Sequence, residues 1–340
     1  MATTLASRAV DGDPNTQSKR PMKSVPGSGD RVFRGVTRIA GIVVLAIFAA
    51  IGLFLTIKAF PAIKAAKFSF ITTAAWEPDV HHFGIAGIIP NTIFIALVAV
   101  VIAIPISLGL SLFISEIAPQ RIKRALVSLV DLMAAVPSVV YGLWALFFLQ
   151  ARTIGVARWL STWFGWIPIF KVNGASPTNP VESASLYTAS TFVAGIAVSL
   201  MVIPILTSVM RESFSQAPLG EREGAYALGS TRWGMIRSVV LPFGKGGIIG
   251  GTMLGLGRAL GETIVIILII SPVFTANIHI LQSGGNSVSF MIANLVGDSS
   301  SFGVSALMEA GLALFAMTLI INFSASAVVA RSRSGAESDG

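Results

Sequence analysis

The sequence predicts an all-α protein that crosses a lipid bilayer six times. Hydrophobic residues fill 54% of the 340 positions and charged residues only 12%, and the mean hydropathy is +0.78. The polar surface is therefore too small to cover a water-soluble globule. A helix needs about 20 mainly apolar residues to cross the hydrocarbon core, and six stretches approach this length: Ile39–Ile57, Ile88–Ile114, Leu132–Gln150, Thr191–Met210, Gly247–Ile270 and Val304–Val329.

Proline positions predict kinks in three of the spans, and composition predicts the tails at the chain ends. A proline removes a backbone donor and kinks a helix, and spans two, three and four each hold one: Pro105, Pro137 and Pro204. We expect residues 1–32 to form a disordered tail, because they are rich in Pro, Gly, Ser and Lys and lack apolar periodicity. The six spans then form one domain over residues 33–330, and residues 331–340 form a second tail.

The distribution of Lys and Arg predicts the orientation. Seventeen of them lie in the two tails, the loop after span two and the loop after span four, against five in the alternate loops. Because basic loops are retained in the cytoplasm, both termini and these two loops are predicted to be cytoplasmic. The basic residues flank apolar runs, which favours membrane lipid headgroups over nucleic acid as their partner.

Two apolar stretches between the spans are ambiguous. Residues 153–170 contain three of the six Trp together with Arg158, which suits a segment in the outer headgroup zone. A seventh span is the alternative, and it is disfavoured because Arg158 would then lie inside the hydrocarbon. Residues 286–303 hold a short apolar patch, typical of an outer amphipathic helix or a re-entrant turn.

A charged stretch punctuated by glycine, EREGAYALGSTRWGMIRSVVLP, precedes span five. Residues 219–228 can form a helix that ends at Gly229, because glycine readily adopts the left-handed position after a helix. Ser230 or Thr231 can then cap a second helix that runs to Pro242. A helix of under three turns is marginal alone, so it is either held by a partner or rests on headgroups as an amphipathic loop.

Seven positions of this stretch resemble the EAA loop of bacterial ABC importer permeases, written EAA-x3-G-x9-I-x-LP. They are Glu223, Gly224, Ala225, Gly229, Val239, Leu241 and Pro242. In that family the loop is a coupling helix that docks into a groove on a separate ATPase subunit. The resemblance implies the type I ABC importer permease fold and a coupling loop over residues 211–246. Gly224 departs from the family's usual Ala, which weakens the helix by about 1 kcal/mol.

Span five carries a glycine face followed by two charges. Gly247, Gly251 and Gly255 repeat every four residues and predict the close approach of another helix. Arg258 and Glu262 continue this face, and charges inside hydrocarbon are costly unless they pair or face a polar cavity. Two roles are open: an Arg–Glu pair that fixes packing, or a pathway in which Arg258 binds an oxyanion while Glu262 holds Arg258 and balances its charge.

Further segments resemble phosphate importer permeases and their PstC-type subunit. GLGRALGET at 255–263 is similar to the signature of these permeases. The segments that resemble the PstC type are AAWEPDVHHFGIAG, SLGLSLFISEIAP, AAVPSVVYGLWAL and MVIPILTSVMRESF, and together they cover most of 33–330. The resemblance implies that Arg258 and Glu262 line a pathway for inorganic phosphate. It also implies a complex in the bacterial cytoplasmic membrane with a PstA-like permease, a PstB-like ATPase dimer and a PstS-like phosphate-binding protein.

The sequence contains no motif for nucleotide binding, enzymatic catalysis or metal binding. No G-x4-G-K-[ST] loop occurs, so ATP and Mg²⁺ are expected on the partner ATPase and no cofactor on this chain. No nucleophile–base–acid arrangement indicates an enzyme. No metal site is expected, because cysteine is absent and the adjacent His81 and His82 point apart in regular structure. Glu116 and Asp131 lie at span ends and are expected to be interfacial, with loop or ATPase contacts as the alternative.

Three other functions fit parts of this pattern. A permease for sulfate or molybdate would need the same kind of oxyanion site. A secondary transporter driven by an ion gradient would also have interrupted helices and an intramembrane charge pair. A polytopic scaffold without transport is disfavoured, because it has little use for Arg258 within a span.

Overall fold

The computed structural model of the protein describes residues 28–175, 184–274 and 277–334, which are almost entirely helical. In chain order the α-helices are α1 (Ser28–Ala66), α2 (Ser69–Thr72), α3 (Ile89–Leu112), α4 (Gln120–Ala135), α5 (Ser138–Trp144), α6 (Gln150–Phe164), α7 (Thr191–Ser215), α8 (Leu219–Ala227), α9 (Arg232–Met235), α10 (Leu241–Leu260), α11 (Ile264–Ile269), α12 (Val288–Leu295) and α13 (Ser301–Ser334). An antiparallel hairpin joins β1 (Trp76–Glu77) to β2 (His82–Phe83). Three π-helical segments extend the α-helices: Phe113–Ile117, Ala145–Leu149 and Ile236–Val240.

Six of the described helices are long and apolar enough to cross a bilayer. They are Gly29–Ala66, Ile89–Ile117, Ser138–Phe164, Thr191–Ser215, Arg232–Leu260 and Ser301–Ser324. A helix satisfies its backbone hydrogen bonds internally, which is what a hydrocarbon environment requires. The predicted all-α architecture with six spans is confirmed.

The chain ends differ in part from the predicted tails. Helix α1 begins at Ser28, so residues 28–32 are helical, and α13 continues to Ser334. The remaining parts of the two predicted tails, 1–27 and 335–340, lie outside the described residues.

The chain forms two compact units, Met1–Ile51 and Gly52–Gly340. The division falls within α1. The first unit is described from residue 28, where α1 presents exposed apolar side chains such as Phe33 and Leu45. Such exposure suits a helix surrounded by lipid. The second unit contains the other five candidate spans.

Span three differs from the predicted Leu132–Gln150. Helix α4 ends before Val136, which is extended at ψ 129°, and α5 starts directly after Pro137. The residue before a proline disfavours helical backbone, so Pro137 separates two helices instead of kinking one. The Tyr141 hydroxyl donates to the carbonyl of Met133 at 2.9 Å and connects the two helices across this break.

The third span is also longer than expected at its other end. The helix continues through the π segment Ala145–Leu149 into α6 and ends at Phe164. Most of residues 153–170 therefore form the end of span three and not a separate interfacial segment. Arg158 is compatible with this helix because its guanidinium lies 5.7 Å from the ring centroid of Tyr187. The part of the chain that the structure describes contains no seventh span.

Span five differs from the predicted Gly247–Ile270 at both ends. One helix runs from Arg232 through Pro242 to Leu260, and α11 is a separate helix of six residues. Gly261 follows the last residue of α10, and its N–H bonds the carbonyl of Gly257 at 3.3 Å. Glycine is a poor helix former, and the chain leaves the axis of α10 at this point.

Helix α7 forms the centre of the Gly52–Gly340 unit. Both α3 and α10 pack against it, and a cross-helix hydrogen bond of 3.0 Å runs from the Ser107 hydroxyl of α3 to the carbonyl of Ile203. Its buried positions include Val193, Ala197, Val202, Leu206 and Met210. Elsewhere apolar side chains such as Leu97 and Val101 of α3 are exposed, as expected for a lipid-facing surface.

Glycines allow α10 to approach α7 closely. A Cβ added to Gly255 would lie 2.6 Å from Val202 Cγ1 and would also overlap Leu206. A Cβ added to Gly247 would overlap the side chain of Ser213, and one added to Gly251 would lie 3.4 Å from Val209 Cγ1. The glycine face of span five is thus the surface that contacts α7.

We expect Gly255→Ala to destabilise the protein by about 1–3 kcal/mol, because the added methyl group overpacks the α7–α10 contact. Gly109→Ala on α3 is the matched control, since a Cβ there meets nothing within 4 Å. That variant should be unchanged or more stable by about 1 kcal/mol through helix propensity. Thermal unfolding of both purified variants in the same detergent provides the measurement, and equal midpoints would contradict the close-packing interpretation.

Candidate functional site

The charged stretch after span four forms the predicted pair of helices. After α7 ends at Ser215, α8 occupies Leu219–Ala227. Gly229 then reverses the chain at φ +84°, a conformation that glycine adopts without steric cost. Of the two predicted caps, Thr231 is the one that acts, because its hydroxyl accepts a hydrogen bond from the Gly234 N–H at 3.2 Å.

Six residues of the EAA-like motif, all but Val239, are predicted to couple to an ATPase, and they lie on two sides of this loop. Ala225 is buried in the main hydrophobic cluster, and Leu241 packs against the same cluster. Glu223, Gly224, Gly229 and Pro242 are exposed. The buried pair anchors the loop to the transmembrane helices, whereas the exposed four are accessible to another chain.

Large apolar side chains accompany the exposed positions. Tyr226 is 45% exposed, Leu228 is 91% exposed and Trp233 is 62% exposed. Their neighbours Glu221, Glu223, Arg232 and Arg237 are exposed charges, so these apolar groups do not belong to a continuous lipid-facing band. A mixed apolar and charged surface of this kind is typical of a protein–protein contact.

The second helix of the loop does not end at Pro242 as predicted. The π segment Ile236–Val240 precedes the proline, and the N–H of Leu241 bonds the carbonyl of Ile236 five residues back. A π turn widens the helix by one residue, and Pro242 follows this segment inside a helix that continues to Leu260. The coupling stretch and span five are consequently one rod from Arg232 to Leu260.

Arg222 of α8 connects this helix to the ends of two spans. Its Nη1 lies 3.1 Å from Glu116 Oε2, in the π segment that follows α3, and its Nη2 donates to the carbonyl of Phe214 in α7 at 2.6 Å. The Glu116 side chain is only 3% exposed. Glu116 therefore makes the loop contact that the sequence analysis gives as the alternative.

Arg258 and Glu262 do not form the predicted pair on one helix face. Glu262 follows the break at Gly261 and is buried, and its Oε1 accepts a hydrogen bond from the Val265 N–H at 3.3 Å at the start of α11. The Ser289 hydroxyl donates to the Glu262 carbonyl at 2.7 Å. The one ion pair between two described residues is Arg222–Glu116. Glu262 thus stabilises the first turn of α11, and it does not hold Arg258.

Arg258 is exposed within an open groove of about 740 Å³. The residues lining the groove are Ile205, Gly250, Met253, Leu254, Gly257, Arg258 and Asn322. Arg258 and Asn322 are its polar side chains, and a guanidinium beside a carboxamide in apolar surroundings suits an anion. Sequence reasoning missed Asn322, although a polar residue inside span six is itself a signal of a polar pathway.

A bundle of six spans with an exposed helix at one end and a cation in a membrane-embedded groove defines a transport subunit of the permease class. The family model of the binding-protein-dependent transport system inner membrane component matches residues 109–334. The chain belongs to this family and is therefore a multi-pass inner-membrane protein. The family assignment that the EAA loop indicated is confirmed.

Relatives share most of the chain's length. The phosphate transport system permease protein PstC 2 of Mycobacterium tuberculosis is 34% identical over 304 residues, covering 88% of this chain and 91% of the relative. The phosphate transport system permease protein PstC of Pasteurella multocida is 35% identical over 294 residues, covering 85% and 88%. Both confirm the resemblance to PstC-type permeases.

One solved structure has the same fold. A chain of a bacterial ABC transporter that imports the acidic polysaccharide alginate has a TM-score of 0.55 at 19% identity. The match covers 88% of this chain and 99% of that chain. This similarity of fold confirms the predicted ABC importer permease fold.

Alanine substitution at two glycines of the coupling stretch should change local stability in opposite directions. Gly224 lies inside α8 with nothing within 4 Å of an added Cβ, so Gly224→Ala should stabilise this helix by about 1 kcal/mol. Gly229→Ala should destabilise the turn by about 1 kcal/mol, because L-residues are strained at φ +84°. Hydrogen exchange of the amides in 219–228 measures both effects. Equal protection in the two variants would contradict this assignment of the turn.

Proposed function

We propose that the chain is the PstC-like membrane subunit of an ATP-driven importer of inorganic phosphate. The observation that carries the proposal is the exposed Arg258 in the groove along α10, within the match to the permease family. Its relatives are named phosphate transport permeases and share about a third of its residues over most of the chain. Arg258 and Asn322 would contact the passing phosphate.

The chemistry of the groove suits an oxyanion. A guanidinium presents several donors in one plane and binds phosphate oxygens in pairs. The apolar lining from Met253 and Leu254 lowers the local dielectric, which strengthens the attraction once water is excluded. Because the groove is open, a second permease is needed to enclose it. A PstA-like subunit packed on this face would complete the pathway.

The cytoplasmic assembly follows from the exposed face of α8. The excess of Lys and Arg in the tails and in the loop that contains α8 supports a cytoplasmic position for that helix and for both termini. Exposed Tyr226 and Leu228 then supply the surface for a PstB-like ATPase. ATP and Mg²⁺ would bind that ATPase dimer, and this chain would carry neither a cofactor nor an enzymatic centre.

Substrate would arrive from the opposite side of the membrane. A PstS-like binding protein would deliver phosphate when the groove opens outward, and ATP binding to the ATPases would drive that opening through α8. The Arg258 guanidinium would attract the anion into the groove without a permanent carboxylate partner, because Glu262 is engaged by α11. Among the described residues no carboxylate forms a salt bridge with Arg258, which favours exchange of the mobile anion over a fixed salt bridge.

Replacing Arg258 tests the pathway. In proteoliposomes that hold the whole complex, we expect Arg258→Gln to reduce ATP-dependent phosphate uptake at least tenfold, because the groove loses its cation. Arg258→Lys should retain part of the uptake, since it keeps the charge but not the paired donors. The complex should still assemble in both variants, as judged by co-elution of its subunits.

Arg124→Gln is the matched control, because Arg124 is an exposed arginine of α4 outside the groove. It should transport phosphate normally. Normal uptake by Arg258→Gln would remove Arg258 from the pathway. Uptake that depends on an ion gradient and not on ATP would instead favour a secondary transporter, and competition by sulfate or molybdate would identify another oxyanion.

Cross-linking tests the contact with the ATPase. The chain has no cysteine, so Tyr226→Cys and Ala225→Cys each introduce a single site for a photoreactive maleimide. We expect Tyr226→Cys to capture the ATPase subunit and Ala225→Cys to react poorly, because Ala225 is only 8% exposed. Adducts of Tyr226→Cys with lipid alone would exclude α8 as the ATPase contact.

A further inference from the structure

One polar side chain of α8, Arg222, contacts the ends of two spans. Arg222 is partly buried, and its guanidinium points toward the bundle, whereas Glu223 and Tyr226 of the same helix are exposed. Its guanidinium contacts Glu116 on one side and the carbonyl of Phe214 on the other. A single group therefore joins α8 to the ends of spans two and four.

Both contact partners of Arg222, Glu116 and Phe214, belong to segments that pack tightly against other spans. A Cβ added to Gly244 of α10 would overlap the ring of Phe214, so the residue that accepts from Arg222 is itself held against span five. Glu116 lies in the π segment that directly continues α3, and α3 packs along α7. A displacement of Arg222 is thus transmitted to three spans at once.

The ion pair uses only half of its hydrogen-bonding capacity. Glu116 Oε1 and Arg222 Nε are both buried and have no hydrogen-bond partner. An Arg–carboxylate pair can form two parallel hydrogen bonds, whereas this pair forms one, through Nη1 and Oε2. A rotation of α8 can therefore exchange one hydrogen bond for another without separating the two buried charges, which would be strongly unfavourable.

We propose that Arg222 and Glu116 form a pivoting link that transmits the movement of α8 to spans two and four. The proposal rests on the proposed function, because it concerns how an ATPase drives this chain. Arg222 acts here as a positioning residue, since it belongs to the moving helix and contacts the ends of the spans but not the substrate groove. The ATPase moves α8 through contacts with Tyr226 and Leu228, and Arg222 transmits this movement to spans two and four.

The test is a double-mutant cycle in proteoliposomes that hold the whole complex. Phosphate uptake and ATP hydrolysis are measured on the same vesicles for Arg222→Gln, Glu116→Gln and the double variant. Each single variant should assemble and hydrolyse ATP, yet transport at least tenfold less phosphate per ATP. The double variant should be no worse than the single ones, because it leaves no lone buried charge.

A purely structural role predicts a different result. If the residues only supported folding, hydrolysis and transport would fall together and the ratio of phosphate to ATP would stay constant. If they acted separately, their effects on the ratio would multiply to at least a hundredfold in the double variant. Either result, or a wild-type ratio in Arg222→Gln, would overturn the link.

Two further variants keep the test decisive. Arg222→Lys retains the charge opposite Glu116 but loses the planar fork that also reaches Phe214, so its transport ratio should be intermediate; a normal ratio would overturn the link. If a single variant fails to assemble, the amide hydrogen exchange of residues 219–227 is measured in Arg222→Lys instead. Faster exchange than in the wild type is expected, and unchanged exchange would contradict the proposal. Arg124→Gln and Asp131→Asn are exposed-charge controls on α4. If the wild type and both controls lack ATP-dependent phosphate uptake, the proposed function fails and not the link alone.

Discussion

The close approach of α7 and α10 determines where the other elements of the bundle lie. Glycine at three positions of α10 brings its backbone against α7, and in hydrocarbon such contact depends on van der Waals packing because water supplies no hydrophobic driving force between helices. Helix α7 is also the most buried of the candidate spans. With α10 fixed on this central helix, Arg258 at its far end faces the groove and the coupling stretch at its near end faces α8.

The two functional regions are therefore opposite ends of one rod. The helix from Arg232 to Leu260 begins beside the glycine turn after α8 and ends just beyond Arg258. At 1.5 Å per residue a helix of this length spans about 40 Å, which exceeds the hydrocarbon thickness of roughly 30 Å. A helix of that length can relate a movement at the end beside α8 to the orientation of the Arg258 side chain near its other end.

Sequence reasoning reached the number of spans, the short helix before Gly229 and the glycine face, because each of these depends on local composition or on the conformational range of one residue. It misplaced the limits of spans three and five, since apolar runs continue across Pro137 and Gly261 although the helices do not. It also paired Arg258 with Glu262 by helical spacing, which fails once Gly261 breaks the helix. Asn322 and the Arg222–Glu116 pair could not be found from spacing, because their neighbours come from distant parts of the chain.

The π segment before Pro242 sets the angular phase of everything that follows it. Each residue of an α-helix rotates the next by about 100°, and the extra residue in Ile236–Val240 is counted in that rotation. Shortening the segment by a single residue would leave both ends of the helix intact but turn the coupling stretch relative to Arg258 by more than a quarter of a circle, because the glycines of α10 hold Arg258 in place against α7. The number of residues between the turn at Gly229 and this arginine is consequently as constrained as their identities.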